Sequence, residues 1–102
     1  MKLQKLRSDG DYRIYGCGKG YIVHNKSLHF DQGHTHVNTL KQANDIILMC
    51  KLRKIPRHWD IRILKSLARV AEIEHANKII DLINEKQHKG KQHFNNYKRG
   101  VI

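Results

Sequence analysis

The stretch YRIYGCGKGYIVHN, residues 12–25, decides the fold class of this chain. Aromatic and β-branched residues, which favour strands, lie on both sides of a cluster of glycines. This pattern predicts strands at about 12–17 and 20–25, joined by a turn near Gly18–Gly20. We therefore expect the N-terminal third of the chain to form an antiparallel sheet.

A third strand is expected directly after this hairpin. Asn25 and Lys26 are a turn candidate, because Asn tolerates positive φ. Residues 27–31 would then return as the next strand. The simplest assembly of the three strands is an antiparallel β-meander.

A helix is predicted over about 39–53. Thr39 can cap its first turn, and Gln42 follows three residues later in a capping-box pattern. Pro56 is expected to end the helix, because the residue before a proline avoids helical geometry. Apolar side chains surround most of the second half of this helix, so we expect that half to be buried on most sides.

Two more helices are predicted in the long segment that follows. One apolar stripe is centred on Leu64 and Leu67, and a second, which includes Ile73, Ile79 and Ile80, lies roughly 145° away at the helical step. A single straight helix would bury two nearly opposite faces. A break near Ala71–Glu74 instead predicts helices at about 58–71 and 73–88. The expected fold is α+β, with one domain over residues 1–89 and a flexible basic tail over residues 90–102.

Composition points to a small protein with a polyanionic partner. The net charge is +11, from 20 Lys and Arg against 9 acids, and such a balance bears on partners rather than on fold. The two cysteines lack metal-type spacing. Neither a signal peptide nor an apolar stretch of membrane-spanning length is evident. We therefore expect a reduced, cytoplasmic setting.

The basic residues are concentrated in two blocks. Residues 51–70 contain seven basic residues and one acid, and residues 86–102 contain five basic residues and no acid. Residues 71–85 contain four acids and one basic residue. Lys and Arg blocks of this kind are typical of phosphate-binding surfaces, because each contact releases counterions from the nucleic acid.

Both blocks supply candidate nucleic-acid-binding residues. His58, Arg62, Lys65 and Arg69 fall on one side of the second predicted helix, and in the C-terminal tail cations alternate with aromatic rings that could stack on bases. The alternative is an ordinary solvated helix face and a soluble tail. The predicted binding residues are Lys51, Arg53, Lys54, Arg57, Arg62, Lys65, Arg69, Lys91, Phe94, Tyr97, Lys98 and Arg99.

A group of histidines could carry chemistry. His24, His29, Asp31, His34 and His36 fall within 13 positions and are suitable ligands for a divalent transition metal, the one cofactor that the sequence raises. His34 and His36 could also act as acid and base in phosphodiester cleavage. Neither pattern is specific, and surface or structural histidines are the alternative. The sequence favours a binding protein over an enzyme.

The hairpin, the sequence Gly33–His34–Thr35–His36 and the segment Lys54–Ile55–Pro56 resemble small uncharacterised proteins of bacterial phages and plasmids over residues 20–70. The resemblance implies no established activity, but a role in replication, partition, host takeover or counter-defence. Three functions remain open: a nucleic-acid-binding protein, an inhibitor that docks on an acidic host protein, and a small histidine- or metal-dependent nuclease. DNA or RNA preference, sequence specificity and oligomeric state are not determined by the sequence.

Overall fold

The computed structural model describes residues 3–90, with side chains described as far as His88. A four-stranded antiparallel sheet in the order β1-β2-β3-β4 is followed by three helices, which confirms the α+β class. The elements are β1 Gln4–Asp9, β2 Tyr12–Cys17, β3 Gly20–Asn25, β4 His34–Val37, α1 Leu40–Leu52, α2 Ile61–Val70 and α3 Ile73–Gly90. Within this described part, no helix has the length and apolarity that a membrane span requires.

The predicted hairpin is confirmed, with β2 and β3 at the expected bounds. Gly18 lies in the turn at a φ of 61°, which glycine adopts without steric cost. The strand that precedes this hairpin in the sequence, β1, was not predicted. It is an exposed edge strand, so its residues need no alternation of apolar and polar side chains, and the periodicity contains no signal for it.

The predicted third strand at residues 27–31 is wrong. Residues 26–33 form a loop, and the next strand, β4, begins at His34. The loop satisfies its own backbone: the N–H of Asn25 donates to the carbonyl of Gly33 at 2.9 Å, and the N–H of Gly33 donates to that of His29 at 2.8 Å. A local network of this kind competes with a sheet ladder for the same groups.

The predicted extent of α1, about 39–53, is confirmed, but the expectation that Pro56 ends the helix is wrong. The hydroxyl of Thr39 accepts the N–H of Gln42 at 3.1 Å, and both halves of the capping box are present. The helix ends at Leu52, well before Pro56, because Arg53 adopts the left-handed conformation with a φ of 56°. The second half of α1 is also less buried than expected, since Leu48 and Leu52 are about half exposed.

Replacing Arg53 with glycine is expected to stabilise the fold by about 0.5–1 kcal/mol, because glycine adopts this left-handed cap without strain. The ion pair that would be lost, Arg53 to Glu72 at 3.5 Å, is exposed and contributes little. Urea denaturation of Arg53→Gly beside Arg53→Lys measures the effect. A clear loss of stability in the glycine variant alone would contradict the cap argument.

The break between α2 and α3 is confirmed, because Ala71 leaves helical geometry with a ψ of 156°. However, α2 begins three residues later than expected, since Asp60 caps it by accepting the N–H of Ile63 at 3.0 Å. His58 therefore precedes the helix, and its predicted place on the basic face is wrong. The inward stripe of α3 also differs: Ile73 and Ile80 are exposed, and the buried residues are His75, Ile79, Leu82 and Ile83.

One face of the sheet packs against α1 and α2, and α3 packs against α2. Ile14, Val23 and Val37 lie on this face and join the core residues of the helices, such as Ile47 and Leu67. Cys50 of α1 is buried in this core near Tyr12, and burial raises the pKa of its thiol to about 12. Burial also raises the pKa of the Tyr12 hydroxyl above its ordinary value.

A Cys17→Ser variant, which retains only Cys50, is expected to resist alkylation at about pH 8 while folded, because only the thiolate reacts. Its labelling, followed by mass spectrometry, should become fast once denaturant unfolds the chain. Cys50→Ser, in which half-buried Cys17 remains, is the matched comparison. Rapid labelling of Cys50 in the native protein would contradict the buried position of this thiol.

Candidate nucleic-acid interface

The second face of the sheet, which we name the outer sheet face, is opposite to the core. Cross-strand partners share a face, and the register pairs Arg13 with His24, His24 with His34, and Ile22 with His36. The strand residues on this face are Lys5, Ser8, Arg13, Tyr15, Cys17, Ile22, His24, His34 and His36. They include two permanent cations and no carboxylate, so the face has a positive electrostatic balance.

Four rings form a contiguous group on this face, which we name the ring cluster: His24, Phe30, His34 and His36. Phe30 extends from the 26–33 loop and stacks on His34, with ring centroids 4.4 Å apart and an interplanar angle of 7°. The centroid of His24 lies 5.0 Å from Phe30, and His36 meets His34 edge-on at 5.2 Å. Phe30 remains 37% exposed, so the cluster presents an aromatic surface to solvent.

Hydrogen bonds to the loop fix the orientation of two of these imidazoles. A ring nitrogen of His24 donates to the carbonyl of Leu28 at 3.2 Å, and one of His34 donates to the carbonyl of Phe30 at 2.5 Å. A ring nitrogen that faces a carbonyl oxygen must hold the proton. The second nitrogen of each ring is therefore the acceptor when the imidazole is neutral.

Helix α2 adjoins the ring cluster along the edge strand β4. Arg69 donates from Nε to the carbonyl of His34 at 2.8 Å and from Nη2 to the carbonyl of Asp31 at 3.3 Å. These bonds tie the loop and the strand to the helix. Arg69 was predicted to bind nucleic acid, but the structure places its guanidinium on protein backbone, where it positions the loop.

Among the predicted binding residues, Arg62 and Lys65 are the best placed to contact phosphates. Both are exposed on α2, and neither forms an ion pair with any residue of the described range 3–90. Arg62 lines a surface cavity of about 300 Å³ together with His36 and Ser66, and Lys65 lines a groove beside Arg69. We name Arg62, Lys65 and Arg69 the cationic ridge; Arg62 lies near His36 of β4, and Arg69 contacts His34 of the same strand.

The basic residues near the end of α1 are mostly paired with acids. Lys51 contacts Asp9 at 2.9 Å, while Arg53 and Arg57 contact Glu72 and Glu85 at 3.5 and 3.4 Å. The hydrogen bond from Lys51 and the charges of Lys51 and Arg7 hold the pKa of Asp9 below its ordinary value.

These pairs are exposed, so each contributes little to stability, but they neutralise charge. Within residues 3–90, Lys54 alone of the predicted residues from 51 to 57 has no ion-pair partner. The structure therefore favours the cationic ridge over residues 51–57 as the candidate phosphate-binding surface.

The candidate metal ligands converge only in part. His24, His34 and His36 share the outer sheet face, while His29 and Asp31 lie exposed in the 26–33 loop. Across the described residues, no three His, Cys, Asp or Glu side chains are arranged to hold a metal ion. His34 and His36 are adjacent, and a catalytic role for this pair stays a prediction.

Some functional candidates were missed, and some lie beyond the described residues. Arg13 and Tyr15 could have been placed on a common face from the alternation along β2, whereas the position of Phe30 depends on the loop. The predicted residues Lys91, Phe94, Tyr97, Lys98 and Arg99, with the rest of the proposed tail after Gly90, lie outside the described residues.

Comparison with protein-family models, with curated proteins and with solved structures finds no match to this chain.

Proposed function

We propose that this chain is a small cytoplasmic nucleic-acid-binding protein that holds DNA or RNA through phosphate contacts and performs no catalysis. The observation that supports this most directly is the pair Arg62 and Lys65, exposed and without ion-pair partners in residues 3–90. Arg62 also shares a cavity with His36 of the outer sheet face, whose strand positions contain no carboxylate. An origin in a bacterial phage or plasmid is part of the same proposal.

Phosphate binding by this surface should depend steeply on salt. Each phosphate that a cation neutralises contributes about −0.9 to the slope of log affinity against log salt on duplex DNA. With two to four contacts, we expect a slope between about −2 and −4 and dissociation constants in the micromolar range or weaker at physiological salt.

The test is fluorescence anisotropy with labelled DNA and RNA oligonucleotides from about 50 to about 300 mM salt. Binding that weakens along the expected slope supports the proposal. No binding at the lowest salt, or an affinity indifferent to salt, overturns it. Retention of an acidic protein from nuclease-treated lysate, with no oligonucleotide binding, would instead identify a protein-docking role.

The single acid of the 51–70 block offers a gain-of-affinity prediction. Asp60 lines the same cavity as Arg62 and His36 and caps α2 through its carboxylate. Asn caps a helix about as well as Asp, so Asp60→Asn should leave stability within about 0.5 kcal/mol while removing a repulsive charge. We expect a few-fold tighter oligonucleotide binding, measured by anisotropy. Asp81→Asn, at an exposed position of α3, is the control, and an equal gain there would contradict a local effect.

A further inference from the structure

We propose that the ring cluster stacks against an unpaired nucleobase, so that the chain selects single-stranded nucleic acid over duplex. This inference rests on the proposed function, because Arg62 and Lys65 of the cationic ridge supply the phosphate contacts that bring a strand to the cluster. The ligand chemistry is a planar base on a flexible phosphate backbone, which RNA and single-stranded DNA share.

The first support is the way the loop presents Phe30. The backbone bonds between Asn25, His29 and Gly33 close the loop, and Arg69 clamps it to α2. Gly33 fits tightly, since a Cβ there would lie 2.6 Å from the Cβ of Leu28. A ring held in this way loses little conformational freedom when a ligand stacks on it.

The second support is the geometry of the rings. Phe30 stacks in parallel on His34, and the Phe30 residue is more than one third exposed. A nucleobase can extend such a stack, and base–aromatic stacking contributes about 1–3 kcal/mol per base. In a duplex the faces of the bases are already stacked on their neighbours, so they cannot reach Phe30.

The third support is the charge around the rings, which favours a nucleic acid over an acidic protein. His36 shares its cavity with Arg62, and Arg69 bonds the backbone of His34, so cations stand beside the aromatic surface. An acidic protein would satisfy the cations but offers no planar bases for the stack. Cations interleaved with exposed rings are the combination that single-strand binding uses.

The test compares wild type, Phe30→Leu and Phe30→Trp on one oligonucleotide of about 12 nucleotides, as single-stranded RNA, single-stranded DNA and duplex DNA. We expect wild type to prefer the single strands. Phe30→Leu keeps an apolar side chain but removes the ring, and should lower single-strand affinity on the order of tenfold. Its duplex affinity and its salt slope should stay unchanged. Unchanged duplex binding by Phe30→Leu excludes a folding defect in that variant, and Phe30→Trp, which keeps an aromatic ring, should retain the single-strand affinity.

The outcomes separate the two proposals. Salt-dependent binding without a single-strand preference, or with equal losses on single strand and duplex in Phe30→Leu, overturns the stacking inference and leaves the proposed function standing. No binding to any of the three ligands overturns both. A preference between the RNA and DNA arms identifies which strand the cluster takes, and fluorescence quenching of 2-aminopurine in the oligonucleotide reports the stacked base directly.

Discussion

Replacing Arg62 and Lys65 together with alanine is expected to lower oligonucleotide affinity on the order of 50-fold at about 0.1 M salt and to reduce the salt slope by about two. Each side chain would release counterions from one phosphate. Neither forms an ion pair with any residue of the described segment, so no intramolecular compensation is expected when they are removed. Anisotropy titrations at several salt concentrations measure both quantities.

The matched control compares two single variants, Lys65→Ala and Lys78→Ala. Both remove an exposed helical lysine that has no ion pair among residues 3–90, and both change the net charge equally. Lys65→Ala should weaken binding about tenfold at about 0.1 M salt, and Lys78→Ala should change it far less. Equal losses would mean that affinity follows net charge and not the cationic ridge. Arg69 is left unchanged, because its loss would also release the 26–33 loop.

Replacing Asn25 with alanine is expected to destabilise the fold by about 3 kcal/mol. The side chain is 3% exposed, and its Nδ2 donates to the carbonyl of Val70, the last residue of α2, at 2.9 Å. Its Oδ1 accepts the backbone N–H of Ser27 at 3.0 Å and the hydroxyl of Ser27 at 2.7 Å. Alanine would leave the Val70 carbonyl without this partner in a buried position, which costs more than the bond itself contributes.

Urea denaturation of Asn25→Ala and Ser27→Ala checks this prediction. Ser27→Ala removes only the hydroxyl bond at a more exposed position, so a loss below about 1 kcal/mol is expected. In both variants the slope of the unfolding free energy against urea concentration should equal that of wild type, since the surface exposed on unfolding is unchanged. Similar small losses of unfolding free energy in the two variants would show that the bond to Val70 contributes no more than the bond to the Ser27 hydroxyl.

Local signals predicted much of the secondary structure. The glycine-bounded β-formers located β2 and β3, the Thr39 capping box located the start of α1, and the change of phase in the apolar pattern located the break after Val70. Each of these signals depends on residues close in sequence. The failures have other causes: β1 is an exposed edge strand, and residues 27–31 fold as a loop that side chains of β4 and α2 hold in place.

The candidate site was predictable only as a list of charges. The sequence identified the cations of α2 but could not separate Arg69, which binds protein carbonyls, from Arg62 and Lys65, which have no partners in the described part. It also could not show that Lys51 pairs with an acid of β1, Arg53 with Glu72 just before α3, and Arg57 with an acid of α3. These pairings join residues far apart in the chain, so no periodicity within one element contains them.

The sequence by itself determined the β2–β3 hairpin, the three helices, the starts of α1 and α3 and the excess of positive charge, because propensity, capping and composition act over a few residues. Tertiary structure alone decided that three histidines and Phe30 meet at a sheet face whose strand positions contain no acid. The strand register aligns the three histidines, the 26–33 loop brings Phe30 to them, and the hydrogen bonds of Arg69 hold the loop against α2. Each of these depends on contacts that exist only when distant segments pack together.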